Sequence, residues 1–175
     1  MTMLKAGQPF PKQKVAKLGG GELTLGEPRE GRDWQLVVLY RGLHCPICKK
    51  YLKTLEGLQQ NFYDIGVDVV AVSGDPEEKA REMADEQELS LAVGYGLTLE
   101  QMAALGAYIS DPRSPQETDR PFAEPATYVI NAQGNVQIVD VSNAPFSRPD
   151  LEGLLGGLKF IRENDYPVRG TRKAA

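Results

Sequence analysis

The chain reads LVVLYRGLHCPICKKYLKTLEGLQQNFYD over residues 36–64, and this stretch indicates how the protein folds. Its first five residues are apolar and partly β-branched, which is typical of a strand buried on both faces of a mainly parallel sheet. Over Pro46–Asp64 the apolar residues recur every three or four positions, which predicts an amphipathic helix. Pro46 suits the first turn of that helix, and Gly66 ends it. Two cysteines therefore stand where a buried strand meets a helix.

The segments around this stretch predict an alternation of strands and helices. The first predicted elements are a hairpin over 15–25, a strand over 67–73 and a helix over 76–88 that Asp75 caps and Pro76 opens. A strand over 91–93, a helix from the capping box at 98–101 to about Gly106 and a surface loop over 111–125 follow. The last elements are a hairpin of 127–131 with 136–141 and a helix opened by residues 147–150. This order predicts the α/β class and a thioredoxin-like fold, with a central mixed sheet and helices on both faces. We expect one domain over 1–175, with a frayed tail at 165–175.

Composition limits the classes of partner. The chain has 175 residues, a formal net charge of -4 and a pI near 5.1, so it lacks the basic excess that nucleic-acid binding requires. Its N-terminal residues form no apolar secretory signal, and its longest apolar run is far shorter than the roughly 20 residues that span a bilayer. We therefore expect a cytoplasmic protein that binds neither membranes nor nucleic acid.

The two cysteines, Cys45 and Cys48, are the chemical signal of the sequence. Cys45 is expected at the N-terminus of the helix, where free N–H groups and the helix dipole favour a thiolate. Cys48 lies one turn further on, so it can attack a mixed disulfide or a sulfenic acid at Cys45. The alternative is that both are small buried hydrophobes. A metal site needs about four ligands, whereas the chain offers two cysteines and one histidine, so we expect no metal or other cofactor.

Two residues that precede Cys45, Arg41 and His44, are candidates for a positive charge near its sulfur. His44 is a candidate for the cation that lowers the pKa of Cys45, and Arg41 adds charge nearby. Each has a plainer interpretation: His44 as a surface residue of the turn, and Arg41 as a charged residue at the exposed end of a strand.

The motif YRGLHCPICK at 40–49, together with EPATYVI at 124–130, resembles the alkyl hydroperoxide reductase and thiol-specific antioxidant family, in its peroxiredoxin-like branch with a CPxC motif. The likeness covers about residues 7–164. It implies a thioredoxin fold, a peroxidatic or exchange cysteine at Cys45 and a resolving cysteine at Cys48. It also implies that Pro125 is the cis-proline that packs beside the dithiol, although a loop proline entering a strand is the alternative.

The chain departs from the family pattern at the site. Typical members have a proline seven residues and a threonine three residues before the peroxidatic cysteine, where this chain has Val38 and Gly42. The family's active-site arginine is also missing near Pro125. Arg41 or Arg120 is a candidate replacement, since a guanidinium can donate several hydrogen bonds to a peroxide oxygen. We expect Pro125, Arg120 and the residues flanking Cys45, namely Gly42 and Pro46, on the substrate side.

The functional hypothesis is a thiol-disulfide oxidoreductase that reduces hydroperoxides, protein disulfides or both. Cys45 attacks, Cys48 resolves, and a thioredoxin or glutathione-type reductant regenerates the dithiol. The family favours peroxide, whereas the lost threonine and arginine favour a protein disulfide. The rivals are a non-catalytic redox-sensing or protein-binding module and, last, a structural zinc protein. The resemblance also implies a possible homodimer.

Overall fold

A seven-stranded sheet forms the centre of the computed structural model, which describes residues 2–174. The strands are β1 (Gln13–Lys17), β2 (Glu22–Leu25), β3 (Trp34–Leu39), β4 (Val67–Val72), β5 (Ala92–Tyr95), β8 (Ala126–Ile130) and β9 (Val136–Val141), with β6 (Ile109–Ser110) and β7 (Phe122–Ala123) forming a separate two-stranded ribbon. The helices are α1 (Pro46–Asp64), α2 (Glu77–Gln87), α3 (Leu99–Ala104) and α4 (Leu151–Asn164). The sheet order is β2-β1-β5-β4-β3-β8-β9. β3, β4 and β5 run parallel, and their other neighbours are antiparallel, so the predicted mixed sheet is confirmed.

Strand β3 divides the core into two layers because its side chains alternate between the faces of the sheet. Leu36 and Val38 pack with buried residues of α1, α2 and α4, whereas Val37 and Leu39 pack on the other face with residues in and around α3. The thioredoxin-like fold with helices on both faces is therefore confirmed. It places the start of α1 at the carboxyl end of a central strand, which is where open α/β sheets commonly bind ligands.

Two local predictions are wrong. Asp75 does not cap α2, because Pro76 is the N-cap residue and the Asp75 carboxylate accepts a hydrogen bond from the Leu43 N–H at 2.8 Å. The segment 111–125 is not a surface loop throughout, because β7 and the two residues after it are buried. Both corrections arise from long-range contacts around the start of α1.

The end of the chain has no helix or strand between Asp165 and Ala174. The Tyr166 N–H still donates to the Ile161 carbonyl at 3.1 Å, and the Thr171 methyl group lies beside Gly7. The frayed tail stays a prediction. Of the helices among residues 2–174, none has both the length and the apolar character needed to cross a membrane.

Candidate active site

Cys45 is the N-cap residue of α1, and its side chain performs the capping. Its backbone is extended, with φ -107° and ψ 102°, and its Sγ accepts a hydrogen bond from the Cys48 N–H at 3.2 Å. The residue is only 1% exposed. A sulfur in the position that a hydroxyl or carboxylate oxygen takes in other helix caps is held against the positive end of the helix dipole.

The surroundings of Cys45 favour its thiolate. The pKa of this thiol is lowered to about 6, first by a hydrogen bond from the Cys48 thiol, and further by the capping N–H and by the Arg41 guanidinium. Burial acts in the opposite direction. A pKa lowered in this way favours the thiolate form of Cys45 at neutral pH.

Cys48 is the protonated partner of this pair. It is fully buried in the first turn of α1, and the pKa of its thiol is raised, first because the thiol donates a hydrogen bond to Cys45 and second because it is buried. Both cysteines are free thiols. The arrangement pairs one sulfur whose surroundings favour the thiolate with one whose surroundings favour the thiol.

Arg148 contacts Cys48 and was missed by the sequence analysis. Its two terminal nitrogens lie 3.7 and 3.6 Å from the Cys48 Sγ. The same guanidinium donates to the Pro145 carbonyl at 3.1 and 2.7 Å and lies over the Tyr51 ring, 4.9 Å from its centre. A single arginine 100 positions after the cysteine carries no local pattern that would have revealed this contact.

Arg41 lies at the site, as predicted, but it is not a free charge. Its Nε is 3.1 Å from Glu124 Oε2, and its terminal nitrogen is 3.7 Å from Glu117 Oε1. The guanidinium also lies over the Phe122 ring at 4.6 Å. Its side chain is only 15% exposed, so the guanidinium is not a solvated charge. The two carboxylates hold Arg41 in place beside Cys45.

His44 does not supply the predicted cation. Burial, and next the charge of Arg41, lower the pKa of its imidazole to about 4, so it is neutral at pH 7. Its ring packs against Phe122, with 4.6 Å between centroids. Neither ring nitrogen has a hydrogen-bond partner among the described residues. The prediction of a cationic role for His44 is therefore wrong, because its side chain packs against an aromatic ring and is neutral.

Gly42 and Asp75 together explain the missing threonine. Gly42 has φ +143°, and a Cβ built on it would lie 2.8 Å from Asp75 Oδ1. Asp75 is 3% exposed, and burial raises the pKa of its carboxyl group. The carboxylate thus occupies the space that a side chain at position 42 would need. Asp75 is a second site residue that the sequence analysis missed, since its place before a proline suggested a helix cap.

The other predicted substrate-side residues, Pro46, Pro125 and Arg120, differ in their surroundings. Pro46 is the exposed first residue of α1. Pro125 is buried, but the described peptide bonds include no cis bond, so the cis-proline prediction is wrong. The trans form is the ordinary preference of an X–Pro bond. On either side of this bond the backbone is paired, since the Glu124 N–H donates to the Tyr108 carbonyl at 2.8 Å and the Pro125 carbonyl accepts from the Ser142 N–H at 2.9 Å. Arg120 pairs with Asp119 at 3.0 Å and is 41% exposed, so it is not held at the thiols.

Metal ligands are not gathered anywhere in residues 2–174. No group of three or more histidine, cysteine, aspartate or glutamate side chains there has the geometry to hold an ion.

Comparison with known families gives one match. The model described as the AhpC/TSA family matches residues 6–139. No curated protein matches the chain.

Comparison of the fold gives many similar solved structures. A peroxiredoxin-like protein from Aquifex aeolicus has a TM-score of 0.76 at 18% identity, with 92% of this chain and 90% of the other covered. Peroxidoxin BcpB from Mycobacterium tuberculosis has a TM-score of 0.72 at 18% identity, with 90% and 98% covered. AhpC from Mycobacterium tuberculosis has a TM-score of 0.74 at 16% identity, with 98% and 100% covered. At these identities the likeness concerns the fold.

Proposed function

The chain belongs to the AhpC/TSA family of thiol-dependent oxidoreductases, and from this premise we propose that it reduces hydroperoxides with Cys45 as the attacking thiolate and Cys48 as the resolving thiol. The observation that carries the proposal is the state of Cys45. Its sulfur is buried, caps a helix, accepts a hydrogen bond from the Cys48 thiol and lies next to the guanidinium of Arg41, which two carboxylates hold.

Burial favours a small oxidant over a protein disulfide. With Cys45 1% exposed and Cys48 fully buried, neither sulfur can reach the disulfide of a partner protein until the site opens. A hydroperoxide needs only a narrow path to one sulfur atom. We therefore place peroxide first and protein-disulfide reduction second.

The first step is a two-electron transfer. The Cys45 thiolate attacks the terminal peroxide oxygen, an S–O bond forms, the O–O bond breaks, and the departing oxygen takes a proton to become water or an alcohol. Arg41 is positioned to stabilise charge on that oxygen, since it interacts with the Cys45 sulfur while two carboxylates fix its orientation. We favour Arg41 over Arg120 for this role because Arg120 is exposed and paired with its neighbour Asp119.

The second step forms a disulfide within the first turn of α1. The Cys48 sulfur attacks the sulfenic sulfur of Cys45, an S–S bond forms, the S–O bond breaks and water leaves. An external dithiol, or two molecules of a small thiol, then reduces the disulfide by exchange. A thioredoxin or glutathione-type reductant meets that need, and the exposed Pro46 and Ile47 form the part of the turn that it meets first.

The test follows the reduced protein with hydrogen peroxide in a stopped-flow instrument, with mass analysis for a Cys45–Cys48 disulfide. We expect rapid oxidation that Cys45→Ser abolishes, and a sulfenic acid that a dimedone reagent traps in Cys48→Ser. Insulin reduction in parallel measures the protein-disulfide activity. Slow reaction with peroxide together with efficient insulin reduction would reverse our order of the two activities, and inertness in both assays would exclude the catalytic function.

A further inference from the structure

Arg148 contacts the cysteine that peroxide does not attack. Both of its terminal nitrogens are within 3.7 Å of the Cys48 Sγ, and the sulfur of a neutral thiol is only a weak acceptor. A guanidinium gains most from an anionic partner, through charge-assisted hydrogen bonds. The contact therefore suits a state in which Cys48 is ionised.

The position of Arg148 is fixed by the turn before α4. The Pro145 carbonyl accepts from two of its nitrogens, and the Tyr51 ring lies beneath the guanidinium. The Tyr51 hydroxyl donates to the Pro149 carbonyl at 2.6 Å, which ties α1 to the same turn. These contacts hold the guanidinium of Arg148 against the Cys48 sulfur.

The two arginines differ in their counter-charges. Arg41 has two carboxylates within 4 Å, whereas Arg148 has no ion-pair partner among residues 2–174. Its polar contacts there are the Pro145 carbonyl and the Cys48 sulfur. Arg148 is therefore a guanidinium whose charge stays available to Cys48.

Oxidation of Cys45 changes what Cys48 experiences. In the reduced site, the Cys45 thiolate accepts a hydrogen bond from the Cys48 thiol, and its negative charge opposes ionisation of Cys48. A sulfenic acid at Cys45 is neutral, so both effects end when the first step is complete. The charge of Arg148 and the Arg41 backbone N–H, which both favour the anion, remain.

We propose that Arg148 stabilises the thiolate of Cys48 after Cys45 has been oxidised, and so drives formation of the disulfide. The inference rests on the proposed function. In this step Cys48 loses its proton, its thiolate attacks the Cys45 sulfur, and the departing hydroxide takes up a proton to become water. Arg41 thus serves the peroxide step and Arg148 the resolving step, so the negative charge moves from one arginine to the other during the cycle.

The first experiment needs no peroxide. In Cys45→Ser the only thiol is Cys48, beside an uncharged neighbour, and its ionisation is followed by thiolate absorbance near 240 nm and by the rate of alkylation against pH. Adding Arg148→Gln should raise the midpoint of the Cys48 titration by about one pH unit, because a hydrogen bond to a charged group is lost. At pH values below the midpoint, the thiolate fraction should then be about tenfold lower. Arg148→Lys keeps the charge and should recover part of the shift, and Arg81→Gln on the outer side of α2 should leave the midpoint unchanged. Equal midpoints with and without Arg148→Gln would overturn the proposal.

The second experiment measures the steps separately in the protein with both cysteines. Arg148→Gln should lower the ratio of the disulfide-forming rate to the Cys45 oxidation rate about tenfold, and sulfinic acid at Cys45 should accumulate at high peroxide. An unchanged ratio would also overturn the proposal. If the unmodified protein does not react with peroxide, the proposed function fails, while the titration of Cys48 in the Cys45→Ser background still decides the role of Arg148.

Discussion

Replacing Cys48 with alanine tests how the site makes a thiolate at Cys45. The substitution removes the thiol proton that Cys45 accepts, which is the largest favourable influence on its pKa. It leaves the capping hydrogen bond, because the donor of that bond is the backbone N–H of residue 48. It also leaves Arg41. Of the three influences that lower the pKa of Cys45, the substitution therefore removes one and leaves two.

The expected size follows from the energy of such a bond. A hydrogen bond to a charged group contributes about 1.5–3 kcal/mol, and 1.36 kcal/mol corresponds to one pKa unit, so the pKa of Cys45 should rise by roughly one to two units. From a starting value of about 6, the thiolate fraction at pH 7 then falls from about nine-tenths to between one-half and one-tenth. The rate of reaction with peroxide at pH 7 should fall about two- to tenfold, and it should recover at pH 9.

The measurement is thiolate absorbance near 240 nm against pH, with the peroxide rate recorded over the same range. Cys48→Ser is the matched control, because a hydroxyl can still donate to Cys45, and its midpoint should lie between those of the other two proteins. A midpoint in Cys48→Ala equal to that of the unmodified protein would refute the reasoning. The capping N–H and Arg41 would then account for the whole effect.

Three further predictions concern the residues around the thiols. Arg41→Gln should lower the peroxide rate by about 10²-fold, as the loss of one preorganised donor does, whereas Arg120→Gln, the matched control on the exposed loop, should change it by less than about twofold. Gly42→Thr should destabilise the protein by about 1–3 kcal/mol in urea unfolding, because of its φ of +143° and the contact with Asp75, and an unchanged midpoint would contradict that geometry. The free energy of unfolding should fall as the pH drops from 6.5 towards 4, because the unfolded state binds a proton at His44 that the folded state does not; a His44→Gln variant that keeps this dependence would count against a buried neutral imidazole.

The parts of the site that local pattern controls were predictable. Helix α1 has the predicted bounds, and Cys45 lies at its N-terminus, because helical periodicity and an N1 proline act within a few residues. The order of strands and helices followed for the same reason. Arg148 and Asp75 were not predictable in this way, since they reach the site from 100 and 32 positions along the chain.

His44 and Pro125 show a different limit. The sequence places His44 beside Cys45, but adjacency does not determine which way a side chain turns, and this one turns to Phe122 and loses its charge. The motif around Pro125 resembles that of the family's cis-proline, yet its peptide bond is not cis, because likeness of a motif does not determine the isomer. Both errors came from assigning a role before the contacts of the residue were known.

The contact between Gly42 and Asp75 determines which groups can act on a peroxide. The Asp75 carboxyl group occupies the space that a threonine side chain at position 42 would need. The Asp75 carboxylate instead fixes the Leu43 N–H, and with it the turn that leads into Cys45. In the mechanism that we propose, the donors to the peroxide are Arg41 and the N-terminal turn of α1. A site with fewer donors depends more on each of them, and for this reason we expect a large loss of activity when Arg41 is replaced and place the peroxide step with Arg41 and the resolving step with Arg148.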